Sequence, residues 1–453
     1  MEKTLNKLFN YNYPSEKMNI KGEITAGITT FLAMAYIVAV NPSILGKTGM
    51  PEGALVTSTC IAAAIATLVM AFYSKLPFGL ACGMGLNTFF AYNVCIQDQI
   101  PWQVALTAVF VEGVIFIILS LTNVREAVAN ILPVSMKISI TSGIGLFIAF
   151  IGLQNAGIIV GNKSNLVALG SFSNPSVWIA CIGLVIIAVL ESREIKGSIL
   201  IGILIGTGIA WIYAIFYPVT ARNVGITLPT GIVYFASPMP IVGKLDFSYL
   251  NSTANILAFI GITSTFLFVD FFGTVGSVIG LATRADLVDE NGNFKRMGRA
   301  LLTDAIGTTI GACLGVSAIS TFVESSTGIE EGGRTGLTAF VIAILFIISM
   351  FFSPIFTAIP SCATAPALIY VGYLMLSMIK NLDFKNITEA VPAFITVLIM
   401  PLAYSIGDGI IYGIMSYVAI NFLNNLFSKK EDRQHISIIL WILFFIFLIK
   451  LIL

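Results

Sequence analysis

Four polar side chains interrupt long apolar stretches of the sequence, and their types could bind a ligand through hydrogen bonds. They are Asn87, Asp270, Asp304 and Glu324. A charge at the middle of a bilayer costs about 2.5–3.5 kcal/mol on insertion scales, so packing alone does not account for a carboxylate there. Glu324 is the clearest case, because residues 321–328 also carry four hydroxyl groups and a glycine between two apolar segments. Polar residues of this kind are tolerated where a segment is buried in protein or lines a water-filled cavity.

Glu324 also has a simpler interpretation. It could lie in a loop at the membrane surface, because Glu330, Glu331 and Arg334 follow it closely. The apolar segments on both sides and the internal repeat described below favour a position inside the membrane.

The other acidic residues have structural alternatives as well. Asp270 could be a paired structural acid near a helix end, since charges resume at Arg284. Asp304 follows Arg299 and could equally form a structural hydrogen bond to a neighbouring helix. Glu112 lies within an apolar segment too, and we expect a structural role for it because nothing pairs with it in the repeat.

The composition excludes a soluble domain. Hydrophobic residues make up 57% of the chain and charged residues 10%, with a mean hydropathy of +0.94, whereas soluble domains contain about 25% charged residues. All six cysteines lie in or beside apolar segments without metal-ligand spacing, so we expect them to pack as small apolar residues. The single histidine, His435, lies in a polar link near the C-terminus, which leaves a histidine proton relay without its parts. We expect a polytopic membrane protein with no cofactor and no bound metal.

Fourteen apolar segments follow a charged tail at 1–23, and most have the length of about 20 residues that crosses a bilayer as a helix. The first seven lie within 24–217, at 24–41, 53–74, 80–96, 101–121, 135–155, 175–191 and 197–217. After a polar connection at 218–250, seven more lie within 251–427, at 252–280, 297–316, 317–329, 335–353, 356–379, 388–405 and 408–427. The third and tenth segments are short and interrupted by Gly, Pro or hydroxyl residues. The remaining residues, 428–453, form a linker and an apolar run that could be a fifteenth span or a helix on the inner face.

The distribution of Lys and Arg indicates the orientation. With fourteen spans and an inside N-terminus, 19 of the 24 Lys and Arg residues fall in inside segments and four in outside segments, while Lys450 lies in the terminal apolar run. The four outside residues are Lys47, Lys163, Arg222 and Lys244. Because positive residues concentrate on the cytoplasmic side, we expect a multi-pass protein of the cytoplasmic membrane with a cytoplasmic N-terminus.

The two sets of seven segments resemble each other at a nearly constant offset. Three matches carry this resemblance: 27–30 with 261–264 and 43–46 with 277–280, both at an offset of 234, and 87–90 with 320–323, at an offset of 233. Since a repeat of seven spans has an odd number of crossings, the second copy must be inverted relative to the first. Inverted repeats with paired broken segments are typical of secondary transporters, whose site lies near the membrane midplane where the breaks meet.

The broken segments predict how the site is built. Glycines precede Asn87, and residues 315–320 before Thr321 fit extended backbone leading into a half-helix. Two half-helices directing their N-termini at one point would present free N–H groups and positive dipole ends. Asp270 and Glu324 would add two acceptors, and phenylalanines would add flat apolar surfaces. Such a site suits a flat, polar heterocycle with both N–H and C=O groups better than a metal ion or a sugar.

The sequence resembles the AzgA-type purine permeases, within the wider nucleobase-transporter group that includes the uracil and xanthine carriers. The resemblance covers nearly the whole chain, and its motifs are residues 28–36 (ITTFLAMAY), 83–87 (GMGLN), 270–274 (DFFGT) and 321–328 (TFVESSTG). It implies an all-α protein of fourteen transmembrane segments in two inverted seven-helix repeats, with a core of spans 1–4 and 8–11 and a gate of spans 5–7 and 12–14. It also implies proton symport of adenine, guanine or hypoxanthine.

The same resemblance implies roles for individual residues. Asp270 and Glu324 match the substrate-binding acids of spans 8 and 10, and Asn87 matches the polar residue of span 3. Asp304 matches a span-9 aspartate that supports span 8. Further substrate contacts are expected from residues in the same motifs: Thr88, Thr274, Thr321, Phe322 and Ser325.

The expected coupling ion is the proton. The uracil carriers have a histidine one helical turn after the span-8 acid, where this chain has Thr274. We therefore expect the carboxylates of Asp270, Glu324 and Asp304 to take part in proton coupling. Asp270 and Glu324 in particular, if close together in a low dielectric, should not both stay ionised, so that this pair could hold a proton.

Other functions remain open at this stage. They are an uncoupled or sodium-coupled nucleobase carrier and an anion carrier or channel of the same fold. An anion site would favour a basic residue, yet the sequence has no Lys or Arg between Lys244 and Arg284 or between Arg299 and Arg334. We do not expect an enzyme, because no motif supplies a nucleophile with a base. The expected partners are a purine nucleobase and the lipid bilayer, without nucleic acid, and both the preferred purine and a homodimer are left open.

Overall fold

The computed structural model describes residues 2–10, 18–122, 132–162, 166–288, 294–427, 434 and 436–452. Gly292, residues 428–433 of the C-terminal linker and His435 lie outside the described residues. Within the described ranges, nine helices are long and apolar enough to cross a membrane, with Gly336–Ser349 and Ile387–Leu402 as shorter apolar helices.

Helices occupy part of the N-terminal tail, the apolar segments of the first set and the start of the polar connection, with a short strand opening the third segment. They are α1 (Glu2–Phe9), α2 (Ile20–Met34), α3 (Ile37–Leu45), α4 (Glu52–Val69), α5 (Met84–Thr88), α6 (Trp102–Leu121), α7 (Val134–Asn155), α8 (Pro175–Ser192), α9 (Ser198–Phe216) and α10 (Pro218–Asn223). Two π-helical turns, Met70–Ser74 and Phe89–Gln97, extend α4 and α5. Strand β1 (Leu80–Cys82) precedes α5, and β2 (Ile159–Asn162) pairs with β3 (Leu166–Leu169) in an antiparallel hairpin.

The second set follows the same plan. Its elements are α11 (Thr253–Arg284), α12 (Met297–Cys313), β4 (Ile319–Thr321), α13 (Ser325–Glu330), α14 (Gly336–Ser349), α15 (Ser353–Thr357), α16 (Ser361–Leu376), α17 (Ile387–Leu402), α18 (Ile406–Phe427) and α19 (Ile438–Ile452). Helix α16 begins five residues later than the predicted segment at 356, directly after Pro360. Proline disfavours the α conformation of the residue before it and lacks an N–H, so a helix starts more readily after it.

The chain forms two compact units. One contains residues 1–121 and 152–367, and the other contains 122–151 and 368–453. In the second unit α17 packs against α18, where Gly409 and Gly413 bring the two backbones together and a Cβ on Gly413 would overlap the Thr396 hydroxyl. The apolar C-terminal run forms α19, which packs on α18 through Phe422 and Trp441, with ring centroids 5.2 Å apart.

The broken segments of the two sets meet in the first unit. Strand β1 pairs with β4 in antiparallel register, with Leu80 opposite Thr321 and Cys82 opposite Ile319. Because the strands are antiparallel, the short helices α5 and α13 begin at opposite ends of this two-stranded ribbon. Strand β1 is buried, and β4 is mostly buried. The Thr67 hydroxyl bonds to both the N–H and the C=O of Leu80, and the Thr308 hydroxyl lies within hydrogen-bond distance of both backbone groups of Ile319. Non-helical backbone inside a membrane protein needs such partners, since lipid offers none.

Candidate functional site

Helix α11 is the element that brings the expected site residues together. It contacts α5, α13 and β4, so side chains along it reach both broken segments. Its packing against α6 and α12 places Asp270 in the interior, where the residue is 1% exposed. The site described below lies entirely within the first unit.

Asp304 is the best-satisfied carboxylate of the site. It is fully buried, and its Oδ2 accepts hydrogen bonds from the Thr321 backbone N–H at 2.9 Å and from the Thr274 hydroxyl at 2.9 Å. Its Oδ1 accepts a third from the Thr321 hydroxyl at 2.7 Å. Asp304 thus ties α12 to the end of β4 and to α11. The hydroxyls of Thr274 and Thr321, both expected to contact substrate, are engaged in this network.

Asp270 receives weaker hydrogen bonding. The Thr274 hydroxyl lies 3.5 Å from its Oδ1, but the single hydrogen of that hydroxyl is shared with Asp304 at 2.9 Å. The Thr308 hydroxyl lies 3.1 Å from Asp270 Oδ2 and 2.9 Å from the carbonyl oxygen of Ile319, and one hydrogen can serve only one of these acceptors. Asp270 therefore competes with Asp304 for the Thr274 hydroxyl and with the Ile319 carbonyl oxygen for the Thr308 hydroxyl.

Glu324 lies in the interval between β4 and α13 and is half-buried. Its Oε1 accepts a hydrogen bond of 2.7 Å from the Tyr36 hydroxyl, although 288 residues separate the two in the chain. Tyr36 is 1% exposed, and its ring lies tilted against that of Phe322 with centroids 6.4 Å apart. A hydroxyl directed at a carboxylate leaves the second oxygen of Glu324 available to another donor.

The charged residues that follow Glu324, rather than Glu324 itself, form the exposed ion pairs expected of a loop at the membrane surface. Glu330 pairs with Arg284 at 3.2 Å, and Glu331 pairs with Lys196, with all four side chains at least one-third exposed. Glu324 differs from these residues because its partner is a buried tyrosine rather than an exposed cation.

Asn87 is fully buried on α5, and neither atom of its amide has a hydrogen-bond partner among the described residues. Buried polar groups are bonded in the great majority of cases, and an unsatisfied one costs about 1–3 kcal/mol. Phe89 follows Asn87 by two residues in the chain. Its ring packs edge-on against that of Phe266, with centroids 4.9 Å apart. Phe266 lies on α11, one helical turn before Asp270. Asn87 therefore offers one donor group and one acceptor group in the short helical segment that continues directly to Phe89 of this aromatic pair.

Two further expected contacts serve the scaffold. The Thr88 hydroxyl donates to the Met84 carbonyl oxygen at 2.7 Å, within its own helix. Ser325 Oγ accepts the Gly79 N–H at 3.0 Å, while the Phe322 N–H donates to the Gly79 carbonyl oxygen at 3.0 Å. The two bonds of Gly79 hold the start of β1 against Phe322 and Ser325, which flank Glu324.

The three acids and the amide of the expected site, with Thr274 and Thr321, fall into three groups. Hydrogen bonds link Asp270, Thr274, Asp304 and Thr321 into one network. Glu324 stands outside it with Tyr36, and within the described part of the chain Asp270 and Glu324 share no hydrogen bond. Asn87 forms the third group by itself. No hydrogen bond among the described residues therefore joins Asp270 to Glu324, the expected proton-sharing pair.

Sequence reasoning missed Tyr36 and Thr308. Tyr36 ends the motif at 28–36, and its place in that motif was the available signal, whereas its position between α2 and α3 is visible only in the structure. Thr308 follows Asp304 by four residues on α12, a spacing that puts both on one helix face. A tyrosine or a threonine does not indicate a binding site until the acid that its hydroxyl contacts is known, here Glu324 and Asp270.

Comparisons with known proteins agree with this picture. The chain matches the model of Xan_ur_permease, a permease family, over residues 21–411. It is 41% identical over 395 residues to the adenine permease AdeP of Escherichia coli (strain K12), covering 87% of this chain and 86% of AdeP. It is 39% identical over 440 residues to the guanine/hypoxanthine permease PbuO of Bacillus subtilis (strain 168), covering 96% of this chain and 99% of PbuO. The resemblance to purine permeases seen in the motifs is confirmed.

A solved structure shows the same fold at low sequence identity. The transmembrane domain of a cyanobacterial bicarbonate transporter, BicA, superposes with a TM-score of 0.63 at 14% identity, covering 87% of this chain and 97% of that domain. The mostly helical membrane architecture is thereby supported independently of the motifs. The matched family and its transporter relatives indicate a transporter rather than an enzyme. The chain belongs to the Xan_ur_permease family of permeases and is a multi-pass membrane protein.

Proposed function

We propose that this protein takes up purine nucleobases across the cytoplasmic membrane by proton symport and alternating access. The observation that carries the proposal is the buried amide of Asn87, neither polar atom of which has a hydrogen-bond partner among the described residues. Relatives that match over most of the chain are an adenine permease and a guanine/hypoxanthine permease, which supports a purine as the ligand.

The chemistry of a purine complements the groups that the site leaves available. A purine edge carries N–H donors beside a carbonyl oxygen or ring nitrogen, and the Asn87 amide can accept from one and donate to the other. The second oxygen of Glu324 would accept a purine N–H, and Asp270 would accept another. The faces of the ring system would lie against phenylalanines such as Phe89 and Phe322. Thr88, Thr274, Thr321 and Ser325 would hold these groups in place rather than bind the purine through their hydroxyls.

The proposed architecture has fourteen spans in two inverted repeats of seven, with the N-terminus in the cytoplasm. Spans 1–4 and 8–11 would form the core that carries the site, and spans 5–7 and 12–14 the gate. The antiparallel pairing of β1 with β4 supports this arrangement, since equivalent broken segments of two inverted copies meet there. Alternating access would then expose the same site first to the outside and then to the cytoplasm.

Proton coupling is proposed because the site is rich in acids. Asp270, Asp304 and Glu324 are bonded to hydroxyl groups and one backbone N–H, and none has a Lys or Arg partner among the described residues. Carboxyl groups without a neutralising cation can gain and lose a proton as the ligand binds and leaves. By linkage, a purine that changes proton affinity has its own affinity changed by the same factor.

Transport by purified protein in liposomes tests this function. With an inward proton gradient and no sodium, labelled adenine, guanine or hypoxanthine should accumulate above the outside concentration. An uncoupler that collapses the gradient should leave only equilibration. Accumulation that requires sodium, or that persists with the uncoupler, would remove the proton from the mechanism. Absence of uptake and of counterflow for all three bases would remove the purine.

A further inference from the structure

Glu112 is a buried acid whose carboxyl group has no partner. The residue is 0% exposed on α6, and neither of its oxygens is hydrogen-bonded among the described residues. An acid retained only for structure would be expected to bond a neighbouring helix, as Asp304 does with three donors. Glu112 makes no such bond.

Helix contacts place Glu112 beside the Asp270 end of the site. A Cβ on the adjacent Gly113 would lie 2.5 Å from the Thr309 hydroxyl, so α6 approaches α12 closely next to Thr308. One turn further along α6, Phe116 packs edge-on against Phe271, with centroids 5.5 Å apart. These two contacts place Glu112 on the stretch of α6 that packs beside Thr308, a hydrogen-bond partner of Asp270, and beside Phe271, its chain neighbour.

The charged and titratable groups on the elements packed against α6 include only two cations in the described ranges. These groups are Asp270 and Arg284 on α11, Asp304, Arg299 and Cys313 on α12, and Tyr92 and Cys95 on the π-helical segment Phe89–Gln97. Arg299 lies ten residues before Thr309, about 15 Å along α12, and Arg284 lies fourteen residues after Asp270, about 21 Å along α11. Tyr92 is hydrogen-bonded to Asn155. The near neighbours of Glu112 are therefore acids, hydroxyls and apolar groups.

An ionised carboxylate in such surroundings is strongly disfavoured. Isolated buried charges cost so much that the group takes up a proton instead. Two acids in electrostatic contact also resist simultaneous ionisation. Asp304 is stabilised as an anion by its three donors, whereas Asp270 competes for both of its donors and Glu112 has none. Burial without a hydrogen-bond donor among the described residues therefore favours the protonated form of Glu112.

We propose that Glu112 is a proton-holding residue of the transport cycle and shares the coupled proton with Asp270. The inference rests on the proposed proton symport and assigns it a residue outside the family motifs. In the transfer, the O–H bond of the Glu112 carboxylic acid breaks as an O–H bond forms on Asp270, and one unit of charge moves with the proton. Glu112 acts through Asp270 and does not contact the purine.

The variant Glu112→Gln separates this role from a structural one. Glutamine has the shape of the protonated acid but cannot release a proton. In proteoliposomes with a one-unit inward pH gradient, one proton per purine allows about tenfold accumulation by the wild type. We expect E112Q to retain purine counterflow near the wild-type rate, while accumulation falls from about tenfold to about onefold and purine-evoked proton uptake disappears. Glu52→Gln is the matched control, because Glu52 is an exposed acid at the start of α4, and it should accumulate purine like the wild type.

Each result has a defined meaning. If the wild type accumulates no purine with the gradient, the proposed symport is refuted, and the role of Glu112 that rests on it is refuted as well. If the wild type accumulates purine and E112Q does so equally, the symport stands and Glu112 is not its proton carrier. If folded E112Q loses counterflow together with accumulation, Glu112 is structural and the inference is wrong.

A second measurement covers the case in which E112Q does not fold. Infrared difference spectra with and without hypoxanthine, adenine or guanine report the carbonyl band of a protonated carboxylic acid. If Glu112 holds the proton, Glu112→Asp should shift that band relative to the wild type, and E52Q should leave it in place. An unshifted band in E112D overturns the assignment.

Discussion

Removing the carboxylate of Asp304 should detach the end of β4 from its neighbours. In Asp304→Ala, the buried N–H of Thr321 loses its acceptor, which costs about 1–3 kcal/mol. The hydroxyls of Thr321 and Thr274 lose one hydrogen bond each, at about 0.5–1.5 kcal/mol apiece. The free energy of unfolding should therefore fall by about 2–6 kcal/mol, a large fraction of the 5–15 kcal/mol typical of folded proteins.

Asp304→Asn is the informative companion. Its side-chain oxygen can still accept the Thr321 N–H if the amide nitrogen takes the other position, where the Thr321 hydroxyl can rotate to accept from it. We expect D304N to be more stable than D304A by about 1–3 kcal/mol, the cost of one orphaned N–H. Equilibrium unfolding of purified protein in mixed detergent micelles measures both values.

A double-mutant cycle with Thr321→Val checks the assignment of the bond. T321V removes the hydroxyl but keeps the backbone N–H, and should cost about 0.5–1.5 kcal/mol in the wild-type background. In the D304A background it should cost less, because the partner is already gone. Additive effects, or a D304A protein as stable as the wild type, would refute the proposed coupling of α12 to β4.

Three further predictions concern the binding site and the topology. Glu324→Gln should weaken purine affinity by about five- to 150-fold, since replacing an acceptor with a donor costs about 1–3 kcal/mol; normal uptake by E324Q at normal membrane levels would contradict its role. Tyr36→Phe removes the hydroxyl that orients Glu324 and should weaken affinity by a smaller factor, about two- to tenfold, so an equal or larger loss than in E324Q would show that Tyr36 itself binds the purine. A cysteine at Gly225 should react only with reagents outside the cell and one at Gly292 only from the cytoplasm, because Arg284, Lys295, Arg296 and Arg299 flank Gly292 in the sequence. Labelling of both from one side would contradict the fourteen-span arrangement.

The sequence by itself determined the apolar helices and the positions of the two broken segments. Hydrocarbon demands about 20 apolar residues per crossing, so the segments are visible without any knowledge of their neighbours. For the same reason the predicted 408–427 agrees closely with helix Ile406–Phe427. The interruptions at 80–96 and 317–329 stood out because backbone that is not helical cannot face lipid. In the structure these segments contain β1 and β4, which pair with each other.

Tertiary structure alone decided which polar groups meet. The carboxylates of Asp270 and Glu324 both stand out in the sequence, but their hydrogen-bond partners differ: Thr308 and Thr274 for the first and Tyr36 for the second. The contact of Tyr36 with Glu324 joins residues 288 apart, and helix packing rather than local spacing creates it. Glu112 looked structural because it has no counterpart in the repeat, and its lack of a hydrogen bond became visible only once α6, α11 and α12 were packed together. A residue type shows what a side chain can do, but the packed neighbours decide whether its hydrogen bonds and its charge are satisfied.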